Sequence, residues 1–285
     1  RRDFTINAMA MHLDGSITDC FDGEADLKRG IIRCVGDPER RFREDALRML
    51  RALRFSAQLG FSIEEHTARA IRENAGLCRL LSRERVCAEA EKTLLSPLPQ
   101  TLSVMLREGL LSACGIAGDY DLQALRTVPA EPDVRWAMLK VLIPKLDMQQ
   151  FRLPSRRVQL AETAAAAYRP SYARQELKAL LAASGEDVAR VCAKLSNQEA
   201  LLEEILQSGE CVSLRGLAVN GRDFPALQGR SAGEMLRRLL DHVLAFPEDN
   251  NRQTLLRLAE EWSGNSDADG HKDVGDVKCQ QKDTL

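Results

Sequence analysis

From Asp37 to about Trp262 the apolar residues return every three or four positions, and glycine or proline interrupts them at roughly helix-length intervals. A strand presents its faces with a period of two, so this pattern restricts the chain to a mainly α fold. The low aromatic content, 5%, agrees, because sheets favour aromatic and β-branched residues. Asp37-Pro38 supplies an N-cap and a first-turn proline, and the helical pattern then runs without glycine to Gly60. A second helix is expected after Ser62, with Glu64 and Glu65 in its acidic first turn, ending near Gly76. A third is expected from Ser82 to just before Ser96-Pro97-Leu98-Pro99, a proline pair that marks a boundary.

This periodicity divides the chain. Residues 37–96 form a neck, 97–207 a helical body broken at Gly115, Pro129, Pro144, Pro154, Pro170 and Gly185, and 208–263 a last helical unit. Residues 264–285 have almost no apolar content and are expected to be disordered. The first 36 residues differ. Ala8-Met9-Ala10-Met11 and Ile17-Thr18-Asp19-Cys20-Phe21 flank the turn signal Asp14-Gly15, and Ile31-Ile32-Arg33-Cys34-Val35 is strand-like. These read as the edge of an α/β unit, and three short elements cannot bury a sheet face alone. Together with an opening Arg1-Arg2-Asp3-Phe4 that lacks an initiator Met, they suggest further material upstream.

Forty Lys and Arg against forty-two Asp and Glu leave a net charge of -2, so bulk attraction to nucleic acid is excluded and any such site must be local. The eight cysteines contain no C-x-x-C pair and are read as buried or incidental thiols of a reducing cytosol. No apolar run approaches the roughly eighteen residues that span a bilayer, and no apolar segment follows the charged N-terminus. The expectation is a cytoplasmic protein without a membrane partner.

Between Lys28 and Arg54 lie nine basic and four acidic residues, a concentrated positive surplus in a near-neutral protein. On a continuous helix Ala46, Leu47, Leu50, Leu53 and Ala57 fall on one apolar face, with Asp45, Arg48 and Arg51 opposite and Arg54 at the border. Such a stripe is ordinarily a solvated face with partners one turn away. Two features point further: the stripe is arginine, whose rigid fork suits phosphates and base edges, and it ends in a carboxylate one turn from Arg48.

A carboxylate only accepts hydrogen bonds and a guanidinium only donates them. Cytosine and adenine present an exocyclic amine beside an unprotonated ring nitrogen, so Asp45 could accept from the amine while Arg48 donates to the ring. Uracil and guanine present a carbonyl beside a ring N–H and would meet the pair acceptor to acceptor. Each such match is worth about 1–3 kcal/mol of discrimination, by analogy with groove readout.

The residues Arg1-Arg2-Asp3-Phe4-Thr5-Ile6-Asn7-Ala8, Asp26-Leu27-Lys28-Arg29-Gly30, Arg41-Phe42-x-Glu44-Asp45-x-x-Arg48-x-x-Arg51-x-x-Arg54-Phe55 and Glu84-Arg85-Val86 with Glu89 and Lys92 resemble, in order and spacing, the successive motifs of bacterial class II tRNA nucleotidyltransferases. That family comprises CCA-adding enzymes and their poly(A) polymerase relatives. Leu217 to Phe224, Gly233 to Leu236, and Asn251 before Leu255-Leu256 resemble its tRNA-gripping tail, while residues 100–205 match loosely. The resemblance implies a remnant of an α/β nucleotidyltransferase head over residues 1–36, followed by helical neck, body and tail. It implies addition of C, C and A to the tRNA 3′ acceptor end from CTP and ATP with Mg2+, and it admits a homodimer. By the same resemblance Arg2 and Asp3 handle the ribose and triphosphate, Asp45 and Arg48 read the base, Arg51 and Arg54 support nucleotide binding, Glu44 orients Arg48, and Asn7 belongs to the supporting set. The resemblance also implies that the segment Glu84 to Lys92 braces the arginine helix.

The family's metal-binding Asp-x-Asp pair belongs on a head strand before the Arg-Arg-Asp motif, so no catalytic or metal residue is expected in this chain. Asp119-Tyr120-Asp121 and Asp267-Ala268-Asp269 lack that strand context. The other readings are a poly(A) polymerase or a partial CC- or A-adding relative, and, from another class, a helical RNA-binding module without catalysis.

Overall fold

The computed structural model describes residues 2–227 and 229–266, with side chains through Ser263. Among these the fold is mainly α, with only short strands.

Near the N-terminus, strands β1 (Ala10–Met11) and β2 (Ile17–Thr18) pair antiparallel around the Asp14-Gly15 turn. Helix α1 (Gly23–Arg29) ends on Gly30, whose φ of 66° is the left-handed conformation that glycine adopts without strain. β3 (Ile31–Ile32) follows and pairs in parallel with β4 (Ser62–Ile63), so the edge strand is tied to the helical neck. Residues 62 and 63 are therefore strand, and the second neck helix is capped by Glu64, whose carboxylate accepts from Thr67 N, rather than by Ser62.

The neck departs from the periodicity at one informative place. In place of one helix from Asp37 to Gly60 there are two, α2 (Pro38–Glu44) and α3 (Leu47–Leu59), separated at Asp45, which is extended with φ −153° and ψ 102°. Asp45 Oδ1 accepts from Leu47 N at 3.2 Å, the local bond by which short acidic side chains compete with helix continuation. Arg48 Nη1 donates to Arg41 O at 2.9 Å and so caps the helix that the break ended.

Helix α3 buries Leu47, Met49, Leu50, Ala52, Leu53 and Ala57. It packs on α5 (Arg83–Leu94), while α2 packs on α4 (Glu65–Asn74). Beyond the proline pair come α6 (Leu102–Arg107), α7 (Pro132–Leu142) and α8 (Ser155–Ala167), with α7 packed on α8. Trp136 is buried edge-on to Phe151 at 5.1 Å, and buried Arg135 Nη1 donates to Leu94 O and Ser96 O, closing the end of α5.

The remaining helices are α9 (Arg174–Ser184), α10 (Glu186–Leu195), α11 (Glu199–Gln207), α12 (Arg230–Ala245) and α13 (Arg252–Ser266). The chain forms two compact units, Arg1–Tyr172 with Ser184–Glu203, and Ala173–Ala183 with Glu204–Leu285. The second has its own core of Cys211, Leu217, Val219, Phe224, Leu239, Leu240, Val243, Leu244, Leu255 and Ala259. The expected disorder of residues 264–285 meets a helix as far as Ser266; the rest, with Asp267-Ala268-Asp269, lies outside the described residues. No helix among the described residues is long and apolar enough to cross a membrane.

Candidate functional site

The N-terminal segment is fixed by its backbone before its side chains act. Val35 N donates to Asp3 O, Thr5 N to Arg33 O, and fully buried Phe4 stacks edge-on against Phe55 at 5.7 Å. Asn7 Oδ1 accepts from Phe4 N, so Asn7 holds the turn. Beneath it, fully buried Asp26 accepts from Thr5 Oγ1, Arg29 and Arg33 at 2.6–2.7 Å. Burial pushes this carboxyl up, but those three partners outweigh it and hold it below its ordinary value.

Asp3, thus anchored, projects a carboxylate onto α3. Its Oδ1 accepts from Arg48 Nε at 3.0 Å and its Oδ2 from Arg51 Nε at 2.6 Å, all three side chains being at least 70% sheltered. Arg48 and Arg51 are three positions apart, so they lie on one side of the helix and a single carboxylate bridges them. Arg48 Nη1 also donates to Glu44 Oε2 at 3.3 Å, and Arg41 binds the same oxygen while its Nη2 reaches Arg2 O at 2.9 Å. Burial pushes Glu44 up, yet Arg48, Arg41 and Arg40 keep its carboxyl below the usual range.

On the other flank α5 supplies Glu89, whose side chain is only 5% exposed. Glu89 Oε2 is 2.7 Å from Arg54 Nε, an ion pair rather than an aligned hydrogen bond, and Lys92 Nζ is 3.4 Å from its other oxygen. Burial pulls Arg54 down and Glu89 opposes that pull. Arg54, placed at the border of the stripe by periodicity, is buried and stacks 4.0 Å over the Phe55 ring. Asp45, 32% exposed, meets Arg85 of α5: Arg85 Nη2 donates to Oδ1 at 3.2 Å and to Oδ2 at 3.1 Å.

The structure therefore gathers Asp3, Glu44, Arg48 and Arg51 into one charge network and links Arg54 to it through Glu89, which stands 4.0 Å from Arg51. Asp45 is not on the helix face with Arg48 and Arg51 but on the break before it. Arg2 contributes its carbonyl, and its side chain is exposed. Arg41, Phe55, Arg85 and Glu89 all stand in the quoted motifs, but nothing in a linear pattern names the partners of the last two, 40 and 35 positions away.

What remains uncommitted defines the chemistry. A carboxylate has about four lone-pair sites. Three contacts occupy Asp45: Leu47 N and Arg85 on Oδ1, and Arg85 on Oδ2. One acceptor site remains, on Oδ2. Arg48 uses Nε and Nη1, and among the described residues Nη2 makes no hydrogen bond. Asp45, a third exposed, stands on a ledge beside the more sheltered Arg48, while two cavities in this unit, of about 630 and 440 Å3, are lined by residues such as Arg152 and Gln159, and Arg33 and His66.

The described residues do not fit a bound Mg2+. No group of three His, Cys, Asp or Glu is placed to hold a metal, Asp3 is spent on two arginines, and Asp119 and Asp121 are exposed outside any strand. The thiols are equally quiet. Cys34, Cys78, Cys87, Cys114, Cys192 and Cys211 are buried, and burial raises each, Cys78 and Cys87 to about 12.

In the second unit the motif residues keep the fold. Asn220 Oδ1 accepts from Arg222 N, Asp223 Oδ2 accepts from Asn220 N, and Leu217, Val219 and Phe224 are core. His242 Nε2 lies 2.6 Å from Asp249 Oδ2.

A family described as the poly(A) polymerase head domain matches residues 1–33, and one described as the probable RNA and SrmB-binding site of polymerase A matches residues 60–113. A CCA-adding enzyme of Bacillus velezensis is 34% identical over 92% of this chain and 72% of that protein. One of Leuconostoc mesenteroides is 55% identical over 113 residues, 39% of this chain and 28% of that protein. The crystal structure of the Bacillus stearothermophilus CCA-adding enzyme in complex with CTP superimposes with a TM-score of 0.79 at 30% identity, covering 94% of this chain and 74% of that one.

Proposed function

This chain belongs to the CCA-adding enzyme family, and on that premise we propose that it carries nucleotide selection for template-independent addition of C, C and A to tRNA 3′ ends from CTP and ATP. The observation that supports the reading is the residual hydrogen-bonding capacity of the ledge: one acceptor site on Asp45 Oδ2 and one free amino group on Arg48. Cytosine N4 and N3, or adenine N6 and N1, offer the complementary donor and acceptor. Uracil and guanine offer the reverse, and each mismatched polar contact leaves a group unpaired at a cost of about 1–3 kcal/mol.

Asp3 sets the fork of Arg48, because the Nε bond fixes the guanidinium plane and leaves Nη2 to the base. Arg51 neutralises the other Asp3 oxygen and Arg54 stabilises α3 against α5 through Glu89. Arg2, exposed and adjacent to Asp3, is the group available to a triphosphate. The family reaction uses Mg2+, for which the described residues offer no site. In this reading the second unit holds the tRNA and the protein works in the cytoplasm.

The reading is tested by joining this chain to an intact nucleotidyltransferase head and supplying tRNA lacking its terminal CCA with each nucleoside triphosphate in turn. CMP and then AMP incorporation is expected. Incorporation of UMP as efficient as that of CMP overturns the selection, and incorporation of AMP alone identifies a poly(A) polymerase instead.

A further inference from the structure

Arg85 stands where helix electrostatics disfavours it. It lies in the first turn of α5, the positive end of the helix dipole, where a carboxylate stabilises and a cation does not. Its side chain is half exposed, so it adds little packing, and its hydrogen bonds go to the two oxygens of Asp45. The helix that carries it is held firmly: Val86 and Ala90 are buried and Glu89 pairs with Arg54. Arg85 is thus a cation mounted on a fixed support and aimed at the one carboxylate that faces the base.

Without Arg85, Asp45 would keep only the Leu47 N bond, and the carboxylate would be free to turn about it. A turning carboxylate has several open acceptor sites, and one of them can accept the ring N–H of uracil or guanine. With Arg85 in place a single acceptor site on Oδ2 remains, three positions along the chain from the uncommitted Nη2 of Arg48. We propose that Arg85 is a specificity-determining positioning residue: by clamping both oxygens of Asp45 it leaves one acceptor in one orientation, which admits the amine-bearing bases and refuses the others. This rests on the nucleotide-selection reading above and extends it to a residue that need not touch the nucleotide.

The test compares the intact enzyme with its Arg85→Ala and Arg85→Lys variants, measuring kcat and KM for CTP, ATP, UTP and GTP on tRNA lacking CCA, together with thermal unfolding. The expected result for Arg85→Ala is a fall of about tenfold in the CTP-over-UTP ratio of kcat/KM. The fall comes from a raised KM for CTP and new UMP incorporation, with the unfolding midpoint unchanged. Arg85→Lys, which keeps the charge but loses the planar fork, should recover part of the ratio. A folded Arg85→Ala variant with wild-type selectivity overturns this inference alone. An equal loss on all four nucleotides, accompanied by a lower midpoint, also overturns it, because Arg85 would then be a brace. A wild-type enzyme that does not prefer CTP and ATP overturns the selection reading itself, and this inference with it.

Discussion

Asp3 and Arg48, forty-five positions apart, meet at 3.0 Å, and the second oxygen of the same carboxylate takes Arg51 at 2.6 Å. Replacing Asp3 by Asn keeps the shape and removes the charge from a site only 15% exposed. The expected loss is about 1–3 kcal/mol, the range for hydrogen bonds to charged groups, read as a lower midpoint in urea. Selectivity should fall as well, because the Arg48 fork is no longer fixed. A variant with the wild-type midpoint would show that the bridge contributes nothing to the fold.

Asp45→Asn separates reading from folding. The amide oxygen can still accept from Leu47 N, so the break between α2 and α3 should survive with a stability change below ~0.5 kcal/mol. The amide can also present N–H where the carboxylate could only accept, which suits the uracil carbonyl. CTP preference over UTP should therefore drop by an order of magnitude or so, about one bidentate match. Competition assays with both nucleotides present measure it directly.

Glu89→Gln leaves Arg54, with a side chain only 11% exposed, without its counter-charge. Breaking a sheltered pair from one side is costly, and a loss of about 2–4 kcal/mol is expected, somewhat below the full buried-pair value because Lys92 is half exposed. Arg54→Met combined with Glu89→Gln should cost less than the two single changes added together. Strict additivity in guanidinium denaturation would mean the two side chains do not interact.

The second unit should be acid-sensitive through Glu210. Lys178, 3% exposed, and Arg174 both bind this carboxylate, and their hydrogen bonds hold it down at about 2 from an ordinary 4.5. A depressed carboxyl contributes stability that is present above its unfolded value and lost as pH falls, so the loss runs from about 4.5 down towards 2. With a fifth of Glu210 exposed, roughly 1–3 kcal/mol is at stake. Acid titration of wild type and Glu210→Gln, followed by circular dichroism, should show a steeper pH slope between about 4.5 and 2 in the first than in the second, because Asp223 and other depressed carboxyls remain in both.

The helical architecture was legible in the sequence because it rests on period and punctuation: Ser82 does precede α5, and Gly60 does end α3. The break at Asp45 was not legible, because the apolar spacing continues across it in phase and only a side-chain bond to Leu47 N ends the helix. The donor and acceptor logic of Asp45 and Arg48 could be read from chemistry alone. The bonds from Asp3 to Arg48 and Arg85 to Asp45 could not, since they depend on how the N-terminal segment and α5 are laid beside α3. Buried Lys178 with Glu210 gave no linear signal either; it follows from the packing of the second unit.

The carboxylates of Asp3, Glu44, Asp45 and Glu89 are each taken up by arginine or lysine at 3.4 Å or less. Those separations are well inside the Debye length, about 8 Å at physiological ionic strength, so mobile ions do not dissolve the arrangement. The paired groups therefore act on a base only at contact, while the segment's surplus of positive charge remains to attract nucleic acid at longer range. Nucleotide choice should hold across salt concentrations that strip RNA from a basic surface, leaving affinity for the nucleic acid and fidelity for the base under separate control.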